Sequence, residues 1–179
     1  MSKNTHISQL ITRLARLSAS ETWGGDLNPA QVSALSYLSR ANRFSRSPSH
    51  VAEYLGTTRG TMSQTLKSLV GKGYVAEVSS ETDRRSISYD LTPEGVRLAA
   101  RRGVLDDAVG SVPERERAIL HGALSDALRS LVAKNGGRSF GICSTCRHHQ
   151  RKGRTPYCGL LDLVLKPEEA LQICREQTS

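Results

Sequence analysis

Between residues 47 and 91 the hydrophobic period changes once, from helical spacing to strict alternation, and few folds accommodate that order of elements. Ser47-Pro48 supplies an N-cap and an N1 proline, Val51, Ala52 and Leu55 give a short apolar face, and Gly56 ends it. Thr57-Thr58 begins a second helix reaching about residue 71, with Met62, Leu66, Leu69 and Val70 on one side. Beyond Gly73, the residues Tyr74, Val75 and Val78, then Ile87, Tyr89 and Leu91, alternate around a charged tip, which predicts a β-hairpin. Two short helices followed directly by a hairpin are the order of a helix-turn-helix (about 47–72) and a wing (about 74–91).

Helical spacing recurs on both sides of this unit. Ile7, Leu10, Ile11, Leu14 and Leu17 predict a helix over about 4–18, and Asn28-Pro29 opens one through about 41 that buries Val32, Leu35 and Leu38. Thr92-Pro93 restarts helix, with Val96, Ala99, Ala100, Val104 and Ala108 inward, and Val112-Pro113 opens a long last helix through Leu131. The fold class is therefore mainly α with a small β-hairpin wing, a winged helix-turn-helix with helices at both ends of the body. Residues 1–134 form that body and 135–179 a small Cys-rich extension.

Charge narrows the partner. The chain of 179 residues carries a net charge of +8, and the excess is uneven: 11 Lys+Arg stand against 6 Asp+Glu over 40–102, and 8 against 4 over 134–179. Such basic stretches point to a polyanion, while one Trp, five Tyr and two Phe are too few for the stacking platforms of single-strand binders. No segment approaches the roughly 20 apolar residues of a membrane span, and the N-terminus lacks the charged and apolar regions of a secretory signal, so a cytoplasmic protein is expected. The histidines His6, His50 and His121 are scattered, and neither a G-x-S-x-G elbow nor a phosphate loop occurs, which argues against an enzyme.

On the helix after Gly56, the face opposite Met62 and Leu66 carries Gly60, Thr61, Gln64, Lys67 and Ser68, small or polar side chains that a major groove admits. Gln64 can pair bidentately with adenine, and Arg59 and Lys67 can reach phosphates. With Thr58 and Ser63 at the same end, and Arg84 and Arg85 on the hairpin tip, these residues form a candidate interface with double-stranded DNA. A solvated helix face is the competing reading, and the flanking elements decide against it.

The run SPSHVAEYLGTTRGTMSQTLKSLVGKGYVAEVSSETDRRSISYDLTPEGVRLA resembles the core of the multiple-antibiotic-resistance regulator (MarR) family. Leu69, Gly73, Asp83, Arg85, Leu91, Thr92 and Gly95 stand where that family keeps its helix end, wing and following helix, and the similarity spans residues 4–134. The resemblance implies a homodimer, held by the first and last two helices, that represses by occupying a pseudo-palindromic operator. It also implies that Arg85 enters a minor groove with Asp83 orienting the wing. A narrow minor groove concentrates negative potential and rewards a guanidinium. Many members bind a phenolic or lipophilic effector between dimerisation helices and DNA-binding lobe, so a small-molecule effector is a further expected partner.

All four cysteines, Cys143, Cys146, Cys158 and Cys174, lie in the extension, as Cys-x2-Cys-x11-Cys-x15-Cys. Grouped thiols in a reducing compartment read as metal ligands rather than disulfides. A zinc ribbon usually presents two paired knuckles and here there is one pair, whereas iron–sulfur clusters tolerate scattered spacing, so an iron–sulfur cluster is favoured over Zn²⁺. The alternative is a structural zinc module for protein interaction. Cys158 is expected in a loop, Pro167-Glu168-Glu169 at the start of a short helix ending near Cys174, and His148 and His149 as solvated loop residues. Because the cysteines follow the last helix, a redox-sensitive centre there is expected to act on the spacing of the dimer.

Overall fold

The computed structural model describes residues 2–20, 25–79, 87–134, 136–138 and 140–178. Seven α-helices and seven short strands are found among them. Helix α1 (Lys3–Ser20) leads to α2 (Pro29–Arg40), whose capping box is reciprocal: the Asn28 side chain accepts from the Gln31 N–H, and the Gln31 side chain accepts from the Asn28 N–H. A 3-10 turn (Arg43–Ser45) then precedes α3 (Pro48–Leu55), capped by the Ser47 hydroxyl on the His50 N–H. Gly56, at φ 65°, takes the left-handed conformation that ends α3, and α4 (Arg59–Gly71) starts three residues after the glycine, behind its N-cap Thr58.

The core lies where α2, α3 and α4 meet. Leu35, Tyr37, Leu38, Val51, Met62, Leu66 and Leu69 are essentially inaccessible, and Val75 and Tyr89 of the hairpin close it from below. Strand β1 (Val75–Ser79) pairs antiparallel with β2 (Ile87–Leu91), from Val75 opposite Leu91 to Ser79 opposite Ile87. Thr92 ties the hairpin to α5 (Pro93–Ala99): its hydroxyl donates to the Gly73 carbonyl and accepts the Gly95 N–H in the first turn of that helix. Gly95 is required there, because a Cβ would collide with the Tyr74 carbonyl oxygen.

The single helix expected after Thr92 is two. It stops at Ala99, and α6 (Val104–Gly110) starts behind Gly103, whose N–H donates to the Asp106 carboxylate. Glycine weakens helix continuation, and a carboxylate three residues on offers its N–H a new partner. Helix α7 (Glu114–Lys134) comes next. Apolar periodicity also overstated burial: Val32 is 38% exposed, Val96 52% and Val104 49%, and none of the residues of α1 or α7 is buried.

The extension is richer in strands than its sequence promised. Strand β3 (Gly141–Ile142) pairs with β7 (Ile173–Cys174), and β4 (His149–Lys152), β5 (Thr155–Cys158) and β6 (Leu163–Val164) form an antiparallel meander. Cys158 closes a strand instead of lying in a loop, and the short helix expected from Pro167 is a 3-10 helix that ends at Leu171, with Cys174 in β7. The buried Glu169 accounts for the turn: its carboxylate accepts the Lys166 N–H and faces Arg43 of the body, and this holds the segment against its neighbour.

Candidate nucleic-acid interface and thiol cluster

Helix α4 is set on the body by Met62, Leu66 and Leu69, so the opposite side faces solvent. Arg59, Gly60, Thr61, Gln64, Lys67 and Ser68 are exposed there, and Ser63 is half-buried at the edge. The hydroxyls at its N-terminus are already engaged: Thr58 accepts the Thr61 N–H at 3.1 Å, and the two threonine hydroxyls lie 2.8 Å apart. Ser68 accepts a hydrogen bond from the Gln31 side chain at 2.9 Å, which turns it towards α2. Arg59, Gln64 and Lys67 have no hydrogen-bond or ion-pair partner among the described residues. They are thus the long side chains left free to meet a ligand. Arg84 and Arg85, together with Asp83, lie outside the described residues.

The four cysteines are free thiols and converge. Cys143 and Cys146 flank a 3-10 turn in which the Cys146 N–H donates to the Cys143 carbonyl, while Cys158 and Cys174 arrive at the ends of β5 and β7. Cys143 and Cys174 are buried in a small cluster with Leu165, against which Cys158, Leu163 and Phe44 pack. Burial pushes the Cys143 thiol up to about 11, and the proximity of Cys174, Cys158 and Cys146, in that order, adds to it. His149 stands opposite Cys158 across the hairpin, half-buried rather than solvated, with its Nδ1 3.8 Å from the Cys143 sulfur. The donor chemistry suits a soft metal, although among the described residues no three such side chains stand at ready-made ligand spacing.

The extension does not sit beside the end of α7, where its place in the sequence put it. It docks on the corner between α2 and α3. Ile173 forms a parallel bridge with Ala41, and its carbonyl accepts the Asn42 N–H at 2.9 Å. The Arg175 N–H donates to the Ser45 hydroxyl at 2.9 Å and its side chain pairs with Glu53 at 2.7 Å. Arg43 pairs with Glu169 and donates to the Val164 carbonyl. Phe140, held at φ 45°, sets its ring 5.3 Å from Tyr54 and 6.3 Å from Tyr37. Burying Ile173 in the body's core and packing the Phe140 ring against it stabilise this position. These anchors, like the Gln31–Ser68 bond, carry no motif by which sequence could have found them.

A helix-turn-helix with a free polar face and an attached hairpin defines the class: a winged helix-turn-helix fold. Residues 25–86 match the sequence profile of the MarR family. The chain resembles the MepR–DNA complex of Staphylococcus aureus at 20% identity and a TM-score of 0.58, covering 73% of this chain and 99% of that one. It resembles Streptococcus pneumoniae FabT in complex with DNA at 23% identity and a TM-score of 0.53 (72% and 94% covered), and reduced Escherichia coli MarR at 20% and 0.54 (72% and 97% covered). No curated protein matches the chain. The fold is the one these structures share. Among the described residues no helix is long and apolar enough to cross a membrane.

Proposed function

We propose that this protein is a cytoplasmic, sequence-specific repressor that binds a pseudo-palindromic operator as a homodimer and carries a soft-metal centre on its four cysteines. The observation that carries the DNA-binding reading is the α4 face, where Arg59, Gln64 and Lys67 project without partners among the described residues from a helix seated by its other side. Gln64 reads adenine, Arg59 and Lys67 meet phosphates, and Arg85 enters the minor groove with Arg84 beside it on the wing. The two recognition helices of the dimer would stand about 34 Å apart, one turn of duplex. The dimer reading rests on the apolar stripes of α1 and α7: Leu10, Leu14, Leu120 and Leu124 are 40 to 47% exposed in the single chain. A cavity of about 790 Å³, lined by α2, α5 and the start of α6, is the place for a small-molecule effector.

The centre is an iron–sulfur cluster if the scattered ligand spacing decides, and the protein is then a redox or metal sensor. The strand-rich setting and the tight Cys143–Cys146 turn favour a second reading, a Zn²⁺ site that staples an interaction module. Visible absorbance and metal analysis of protein purified without oxygen separate the two, since zinc is colourless. For DNA, the test is titration of a duplex selected by the protein from a random pool. Gln64→Ala should lose about 1–3 kcal/mol on that duplex and little on random DNA. Equal losses on both would remove Gln64 from base reading.

A further inference from the structure

We propose that the thiol centre controls DNA binding through the α2–α3 corner, with β7 as the lever: metal held at Cys174 fixes Ile173 and Arg175 against the helix-turn-helix, and losing the metal releases them. This rests on the reading of Cys143, Cys146, Cys158 and Cys174 as a metal site.

Three consecutive residues carry it. Ile173 belongs to the core of the body, and its backbone is bonded to Asn42 just beyond α2. Cys174 is buried in the thiol cluster of the extension. Arg175 is bonded to Ser45 in the 3-10 turn and to Glu53 in α3. An extended chain rises only about 3.3 Å per residue, so a shift of Cys174 passes directly to both neighbours. A second strut runs beside the lever, where Arg43 of the same turn pairs with the buried Glu169 and Phe44 packs on the thiol cluster.

The extension cannot hold this position by packing of its own. Its separate core is small, a cluster of Cys143, Leu165 and Cys174 with Tyr157 and Glu169 buried beside it, and units near 40 residues usually need a metal or disulfides to stay folded. Metal therefore completes the module, the module braces the corner, and α3 bears on α4 through Val51, Ala52, Met62 and Leu66. A braced reading head has less to order on DNA, so the metal-loaded form binds the operator more tightly.

The experiment compares metal-loaded and metal-stripped full-length protein, both purified without oxygen, on a duplex selected by the loaded form. Stripping should weaken wild-type binding about tenfold, within the usual range of such couplings. The double variant R43A/E53Q, which keeps all four cysteines, should retain metal yet bind equally with and without it, at the level of stripped wild type. Full metal dependence in that variant overturns the route while leaving the centre in place, and wild-type protein without stoichiometric metal overturns centre and route together. Hydrogen exchange read without DNA guards against a misfolded variant. Stripping wild-type protein should raise exchange at the amides of Asn42 and Arg175, and unchanged exchange there overturns the proposal whatever the DNA result.

Discussion

His50 shows how much one side chain depends on its surroundings. It sits in the first turn of α3, its Nδ1 is buried without a partner among the described residues, and burial holds its pKa below the usual 6.5. The Arg175 guanidinium pushes the same way, while Glu176 and Glu53 partly oppose it. Above pH 6.5 the ring is neutral in both folded and unfolded chains and has no effect on their balance. As pH falls below 6.5 the unfolded chain takes up the proton first, so stability declines until the folded ring is charged as well. Urea unfolding at pH 7.5 and pH 5 should show this loss, and His50→Gln should reduce it. An equal acid loss in the variant would assign it to other groups. The same corner holds Tyr37, whose hydroxyl donates to the Ser45 carbonyl at 2.7 Å and whose pKa burial raises. Aromatic and ionic groups thus share the small space between body and extension.

Among elements, α2 does more than fill the core. Its Asn28–Gln31 box satisfies the first turn, and the same Gln31 side chain donates to Ser68 of α4, so a cap on one helix also positions the helix proposed to read DNA. Asn28→Ala should cost about 1 kcal/mol, seen as a lower thermal midpoint. It should also loosen Ser68, and an unchanged midpoint would mean that Gln31 is held by Ser68 and by Lys72, whose ammonium donates to the Gln31 side chain at 3.5 Å. The element starts were legible because Asn28, Ser47, Thr58 and Thr92 are caps that act on N–H groups within three residues. The break between α5 and α6 was less so, since Gly103 interrupts an apolar pattern that continues across it.

At the scale of the whole molecule, the exposed stripes of α1 and α7 mark the surface that a second copy would cover. Leu124→Glu should convert the dimer to monomer by light scattering and lower operator affinity, because one reading head holds only a half-site. A dimer that persists would place the interface elsewhere. The docked extension rests on the corner between α2 and α3. The thiol cluster is therefore a neighbour of the helix-turn-helix within one chain, and the proposed centre would act there without a change in the spacing of the proposed dimer.

Sequence by itself determined what depends on neighbours along the chain. The change of hydrophobic period set the helix-turn-helix and wing, capping residues set most starts, and the side of α4 opposite Met62 and Leu66 marked the candidate DNA face. The grouping of four thiols was legible as well. Only the tertiary structure decided where the extension lies, because Arg43 and Glu169 are 126 residues apart and Arg175 and Glu53 are 122 apart, and no local pattern encodes such pairs. It also decided which apolar stripes are covered. Periodicity identifies the apolar side of a helix, but burial depends on whether another element, or another molecule, comes to rest against it.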